Sequence, residues 1–179
     1  MSWINVIDLE MNQPSGKIIQ IGVVSLNLYG QDESVSLNVY VNPHEQLSDY
    51  IIKLTGITQK TVDEGIDFKE ALKEFWASLK SKRVVSWGTD GELLVRDSKN
   101  LGVDIPNNVQ IINLRHTAEL LRFSQSGKKP GGLKSTMELF GLEFLGQQHN
   151  AVIDALNTAR LVREFVHGMQ IYNYLKKNM

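Results

Sequence analysis

Five residues of this chain have side chains that could do chemistry together: Asp8, Glu10, Asp90, His149 and Asp154. Magnesium and manganese prefer oxygen ligands, and a few carboxylates suffice when substrate and water complete the shell. A histidine beside such ions can take a proton from water, because imidazole titrates near neutrality. Phosphodiester hydrolysis needs a nucleophilic hydroxide and a stabilised leaving oxygen. Two divalent ions about 3.5–4 Å apart can supply both. The residue types therefore point to metal-dependent phosphodiester cleavage, with Mg²⁺ or Mn²⁺ (two ions) as the cofactor.

That chemistry requires elements that bring the residues together. Trp3 to Leu9 is a short apolar run ending in acid, which reads as a strand. Strand side chains alternate, so Asp8 and Glu10 share a face. Ile18 to Leu28 is a second strand, and Val35, Leu37, Val39 and Val41 alternate with polar residues in a third. Short links between the three predict an antiparallel meander. The period then changes: Phe68, Leu72, Phe75 and Leu79 mark one face of a helix. Arg83 to Trp87 reads as a strand, Asp90 to Leu101 as a helix and Val109 to Ile112 as another strand, after which Asn113 can cap a helix. Ser124 to Gly132 reads as a loop, and Leu133 to Phe140 as a short helix ended by Gly141.

Asn150 can cap a longer helix whose apolar face includes Val152, Ala155, Ala159 and Val162. If His149 and Asp154 both lay inside that helix, they would stand about 140° apart at ~3.6 residues per turn. With Asn150 as the cap, His149 lies on the preceding loop, free to turn toward the site. The order of elements, strands first and then strands alternating with helices, predicts an α/β fold: one mixed sheet flanked by helices.

The chain has 179 residues, which suits one domain spanning 1–179. Hydrophobic residues make up 42% and charged residues 22%, which is globular rather than disordered composition. The absence of cysteine excludes disulfides, thiol nucleophiles and Cys-ligated zinc, and fits a cytoplasmic location. The first residues lack the basic start and apolar run of a signal peptide. No run reaches the ~18 apolar residues of a membrane span. With a net charge of −1, any contact with nucleic acid must be a local basic patch.

The chain resembles the DEDDh group of 3′-to-5′ exonucleases, which includes proofreading subunits, RNase T-like enzymes and Eri-like exoribonucleases. The resemblance runs over nearly the whole chain. Asp8 and Glu10 match the first motif, followed by Lys17 to Val24 as a typical second strand. Leu54-Thr55-Gly56-Ile57-Thr58 matches an L-T-G-I-T loop, and His149 to Leu161 matches the third motif almost throughout. The resemblance implies an RNase H-like fold with a five-stranded mixed sheet, strands one to three antiparallel. It also implies Asp8, Glu10, Asp90 and Asp154 as metal ligands, His149 as general base and nucleoside 5′-monophosphates as products.

Two positions depart from that pattern. Asp90 follows Gly88 by two residues where Eri-like members usually have three, which leaves Glu92 as a fallback. Gln20 stands where relatives frequently carry an acid.

The expected partner is a single-stranded RNA or DNA 3′ end, not a membrane, with a homodimer left open. Leu9, Met11, Leu54 and Ile57 are apolar candidates for contact with terminal bases, with ordinary core packing as the alternative. Trp87 could stack on a base, although the end of a sheet strand favours a core role. Arg122, Lys128, Lys129 and Lys134 surround a glycine-rich loop, the best local patch for a phosphate backbone. Two other functions fit the same fold: a catalytically silent nucleic-acid-binding module, and an exonuclease subunit of a polymerase or helicase assembly.

Overall fold

The computed structural model describes residues 3–30, 32–119 and 131–178, with 169–178 as backbone only. Strands β1 (Trp3–Met11), β2 (Ile18–Asn27) and β3 (Glu33–Tyr40) form the antiparallel meander. β4 (Arg83–Ser86) pairs in parallel with β1, and β5 (Gln110–Asn113) pairs in parallel with β4. The resulting five-stranded mixed sheet has the order β3-β2-β1-β4-β5.

Alternation along β1 divides the core into two layers. Ile7 and Leu9, with Ile21 and Val23 of β2, pack against helix α3 (Phe68–Ser78) through Leu72, Phe75 and Trp76. Leu94 of helix α4 (Asp90–Leu101) joins the same cluster. On the other face Ile4, Val6, Val24 and Leu26 pack against Ala155, Ala159, Val162 and Phe165. These four belong to the final helix, labelled α6 below. Asp8 and Glu10 continue the Ile4–Val6 series, so the period of two delivers both carboxylates to the face that this helix covers.

Helices α1 (Asp49–Thr55) and α2 (Gln59–Asp63) lie where the sequence suggests only a loop. Seven and five residues are too few to display a helical period. Their caps define them instead. The Ser48 hydroxyl accepts from Ile51 N–H at 3.3 Å and the Thr58 hydroxyl from Thr61 N–H at 3.2 Å. Gly56, at φ 74°, closes α1 in the left-handed region. Leu54-Thr55-Gly56-Ile57-Thr58 is therefore a helix end, a glycine turn and a helix cap. Asn113 takes its expected place, accepting from Arg115 N–H at 3.1 Å as residues 114–119 turn helical.

Helices α5 (Leu133–Leu139) and α6 (Ala151–Asn178) complete the described residues. The first turn of α6 sits directly on β2. A Cβ built on Gly22 would lie 2.5 Å from the Ala151 carbonyl carbon and 2.6 Å from Val152 N. Ala151, Ala155 and Ala159 are all fully buried, so small side chains at four-residue spacing let the helix lie close to the sheet.

This contact predicts opposite signs for two glycine substitutions. Gly22→Ala should cost about 1–3 kcal/mol, because backbone rather than a flexible side chain must yield. Gly168→Ala, inside α6 with nothing within 4 Å, should gain about 0.5–1 kcal/mol from helix propensity. Urea unfolding of both variants checks this, and a neutral Gly22→Ala would show that the close approach is not a constraint.

Candidate active site

Asp8 and Glu10 stand at the C-terminal end of β1. Asp90 is the first residue of α4, carried past the end of β4 by the Trp87-Gly88-Thr89 turn. His149 immediately precedes the cap of α6, and Asp154 lies in its first turn. Donor atoms of Glu10, His149 and Asp154 all fall within 4.8 Å of one another. Asp8, His149 and Asp154 share a cavity of about 430 Å³ with Trp87, Lys134, Glu138, Phe144 and Gln148. A larger cavity of about 590 Å³, lined by Lys80, Lys82 and Arg83 at the start of β4, contains none of the five residues.

The start of α6 is tied down by local hydrogen bonds. The Asn150 side-chain oxygen accepts from Val152 N–H at 3.2 Å and Ile153 N–H at 3.3 Å, the expected cap. Its carbonyl accepts from Asp154 N–H at 2.8 Å. His149 has a φ of 63°, a left-handed conformation that costs a non-glycine residue about 1–2 kcal/mol. Its N–H donates to Asp154 Oδ2 at 3.1 Å, so the strained turn is bonded to the carboxylate beside it. Asp154 Oδ1 is buried and accepts no hydrogen bond from protein.

Electrostatics reports the same crowding. Burial holds the Asp8 carboxyl well above the usual range, and Asp90, Asp154 and Glu10 push it further. Burial, then the charges of Asp154 and Asp90, lift Glu10 to about 8. Burial and neighbouring Glu92 raise Asp90 to about 6. Asp154 is raised by burial, against the opposing pull of the His149 N–H and ring. Carboxylates that repel one another and leave a buried oxygen without a partner are suited to a divalent cation. The donor chemistry thus fits a metal: oxygen from four acids, with one imidazole close enough to join them.

Asp90 takes part in this field, whereas Glu92 is exposed and acts on Asp90 only as a neighbour. Leu9 and Ile57 are buried in separate core clusters, the packing given as the alternative to base contact. Leu9 has the opposite strand parity to Asp8, and Ile57 packs beneath α1 and α2. Met11 and Leu54 are only half-buried. Trp87 packs against the α6 layer, as its place at the end of a strand favours, and it also lines the cavity. Lys134 is exposed on the cavity wall and forms no ion pair among the described residues. Arg122, Lys128 and Lys129 lie outside the described residues.

Sequence reasoning missed Glu138, Phe144 and Gln148 as cavity residues. It also missed the support beneath the site. Gly22 and Gln20 lie opposite Asp8 and Glu10 in the β1–β2 register. A glycine inside a strand is the one sequence signal for such a close approach.

A mixed sheet with acids at the ends of its central parallel pair, closed by a helix carrying a further acid, defines an RNase H-like nuclease. Residues 6–162 match the RNase T exonuclease family, and the chain belongs to that family, in its DEDDh group. It is 30% identical to the 3′-5′ exoribonuclease 1 of Homo sapiens over 190 residues, covering 94% of this chain and 54% of that protein. It is 29% identical to ERI1 exoribonuclease 2 of Xenopus laevis over 181 residues, covering 84% of this chain and 25% of that protein. The nuclease domain of 3′hExo, a DEDDh family member bound to rAMP, superposes with a TM-score of 0.69 at 26% identity, covering 94% of this chain and 92% of that one. The chain thus spans about a quarter to half the length of these two curated relatives.

The raised carboxyls predict how stability depends on pH. Glu10 moves from 4.5 in an unperturbed chain to about 8 in the folded one, and Asp90 from 3.8 to about 6. As pH rises across those windows, the unfolded chain ionises first and the folded chain loses stability. With chelator present, Tm should fall between pH 4.5 and pH 8, and Glu10→Gln should flatten the slope. Mg²⁺ should restore Tm at the alkaline end and release protons as it binds. A Tm independent of pH in chelator would contradict the proposed crowding. The two acids of the second motif should also separate: Asp90→Asn should reduce Mg²⁺-dependent turnover far more than Glu92→Gln.

Proposed function

We propose that this chain removes nucleoside 5′-monophosphates from the 3′ end of single-stranded nucleic acid, with RNA preferred over DNA, using two Mg²⁺ or Mn²⁺ ions. The observation that carries the proposal is the meeting of Glu10, His149 and Asp154 donor atoms within 4.8 Å of one another, beside a cavity that Asp8 also lines. The preference for RNA rests on two relatives named as exoribonucleases and on a related nuclease domain described as bound to rAMP.

Asp8, Glu10, Asp90 and Asp154 hold the ions, which when bound supply Lewis acidity toward the scissile phosphate and the attacking water. His149 takes the proton from that water. Its loop position leaves the ring beside Glu10 and Asp154 rather than locked within a helix. Lys134, on the cavity wall, draws in the phosphate backbone. Trp87 offers an aromatic face to the terminal base, and Met11 and Leu54 are the remaining apolar contacts on the substrate side. Lys128 and Lys129 are further candidates for phosphate contact.

The test uses single-stranded RNA and DNA of one sequence, labelled at either end, with and without Mg²⁺ or Mn²⁺. A 3′ label should appear at once as mononucleotide, and a 5′-labelled strand should shorten progressively. No turnover on any strand with either metal would overturn the proposal. Asp8→Asn and Asp154→Asn should each abolish nearly all turnover.

His149→Ala should lose roughly 10²–10⁴-fold in kcat, the usual contribution of a positioned base. The ring is close enough to serve as a ligand instead. Calorimetry separates the roles: a base leaves Mn²⁺ affinity nearly intact when removed, whereas a ligand takes much of it away.

A further inference from the structure

We propose that Gln20 is a positioning residue that sets where His149 and Asp154 stand over the carboxylates of β1. The proposal rests on the exonuclease reading above. Gln20 is completely buried in β2 and lies directly across the antiparallel pair from Glu10. Its Oε1 accepts from the N–H of Ala151, the first residue of α6, at 3.1 Å. Its Nε2 donates to Asn38 Oδ1 on β3 at 2.9 Å.

The first N–H groups of a helix have no acceptor within the helix. In α6, Asn150 serves Val152 and Ile153 from its side chain and Asp154 from its carbonyl. Those bonds are local, and would hold wherever the helix began. The Gln20 bond instead connects the helix start to the sheet. Gly22, one step along the same face, limits how closely the helix can approach, and Gln20 fixes its direction. The Asn38 contact prevents the Gln20 amide from turning away. His149 and Asp154 lie two and three residues from Ala151, so a displaced helix start moves both.

An amide does this without adding charge. A carboxylate at position 20 could accept the same N–H, but would place a fifth negative group opposite Glu10, whose carboxyl is already pushed up to about 8. Gln20 therefore holds the helix while leaving the site with four acids.

The test compares the full chain with Gln20→Met, similar in size but unable to replace the amide's hydrogen bonds, and Gln20→Glu, which keeps an acceptor. Gln20→Met should lose roughly 10- to 100-fold in kcat on a short single-stranded oligonucleotide at saturating Mn²⁺, and should bind Mn²⁺ more weakly by calorimetry. KM should change little, because substrate contacts remain. Gln20→Glu should recover much of the kcat lost in Gln20→Met. A folded Gln20→Met with wild-type kcat and Mn²⁺ affinity, and only a lower Tm, would reduce Gln20 to a structural residue and overturn the proposal.

If Gln20→Met does not fold, Asn38→Ala decides. Asn38 is exposed on the edge strand, and its loss removes the contact that keeps the Gln20 amide turned toward Ala151. A fall in kcat at constant KM supports the proposal, and wild-type kcat overturns it. Calorimetry needs no turnover, so an inactive wild-type chain would remove the exonuclease reading while the Mn²⁺ data still judged Gln20.

Discussion

The missing side chain at Gly22 is the constraint on which the site depends. The backbone of Ala151 and Val152 occupies the space that a Cβ would need. Only there can the first turn of α6 come close enough for Asp154 to meet Glu10. The alanines that follow at four-residue spacing extend the same close packing along the sheet. Closeness is thus set by atoms that are absent, which is a stiffer specification than an attractive contact, because steric repulsion rises steeply while dispersion falls off gently.

Closeness has an electrostatic cost. Burial raises all four acids, and repulsion from the other site acids adds to it at Asp8 and Glu10, so the folded chain holds an arrangement that its own charges oppose. Two apolar layers supply the opposing stability, one beneath α3 and α4 and the other beneath α6. The acids sit at the ends of regular elements and inherit that rigidity. Buried Asn5 performs a related task for the second motif. Its amide donates to Ser81 O at 2.8 Å and Arg83 O at 3.1 Å, and its oxygen accepts from Lys80 N–H at 3.0 Å. These bonds anchor the entry to β4, the strand that leads to Asp90.

Much of this organisation was legible in the residues. The apolar run of β1, the alternation of β3, the period of α3 and the cap at Asn150 each produced a local pattern that tertiary packing did not override. Asp90–Leu101 matched its expected bounds. What stayed hidden was relational. Strand parity separates Leu9 from Asp8, yet nothing local says which face the final helix will cover. Opposition of Glu10 to Gln20 depends on the register between β1 and β2, set by the irregular turn from Asn12 to Lys17, where Asn12 N–H bonds the Lys17 carbonyl at 2.8 Å. Helices α1 and α2 were too short for periodicity, although Ser48, Gly56 and Thr58 carried their caps in plain view.

The order of the donors along the chain bears on when the site can exist. Half of its acids lie on the first strand, while His149 and Asp154 belong to the start of the last helix. Closing that contact joins distant parts of the chain, and long-range contacts of this kind tend to form late in folding. During synthesis the first strand emerges well before the helix that completes the site. A growing chain that has not yet reached residue 151 has all five strands and three of the four acids, but no assembled centre. The fold therefore leaves the four acids unassembled until α6 docks.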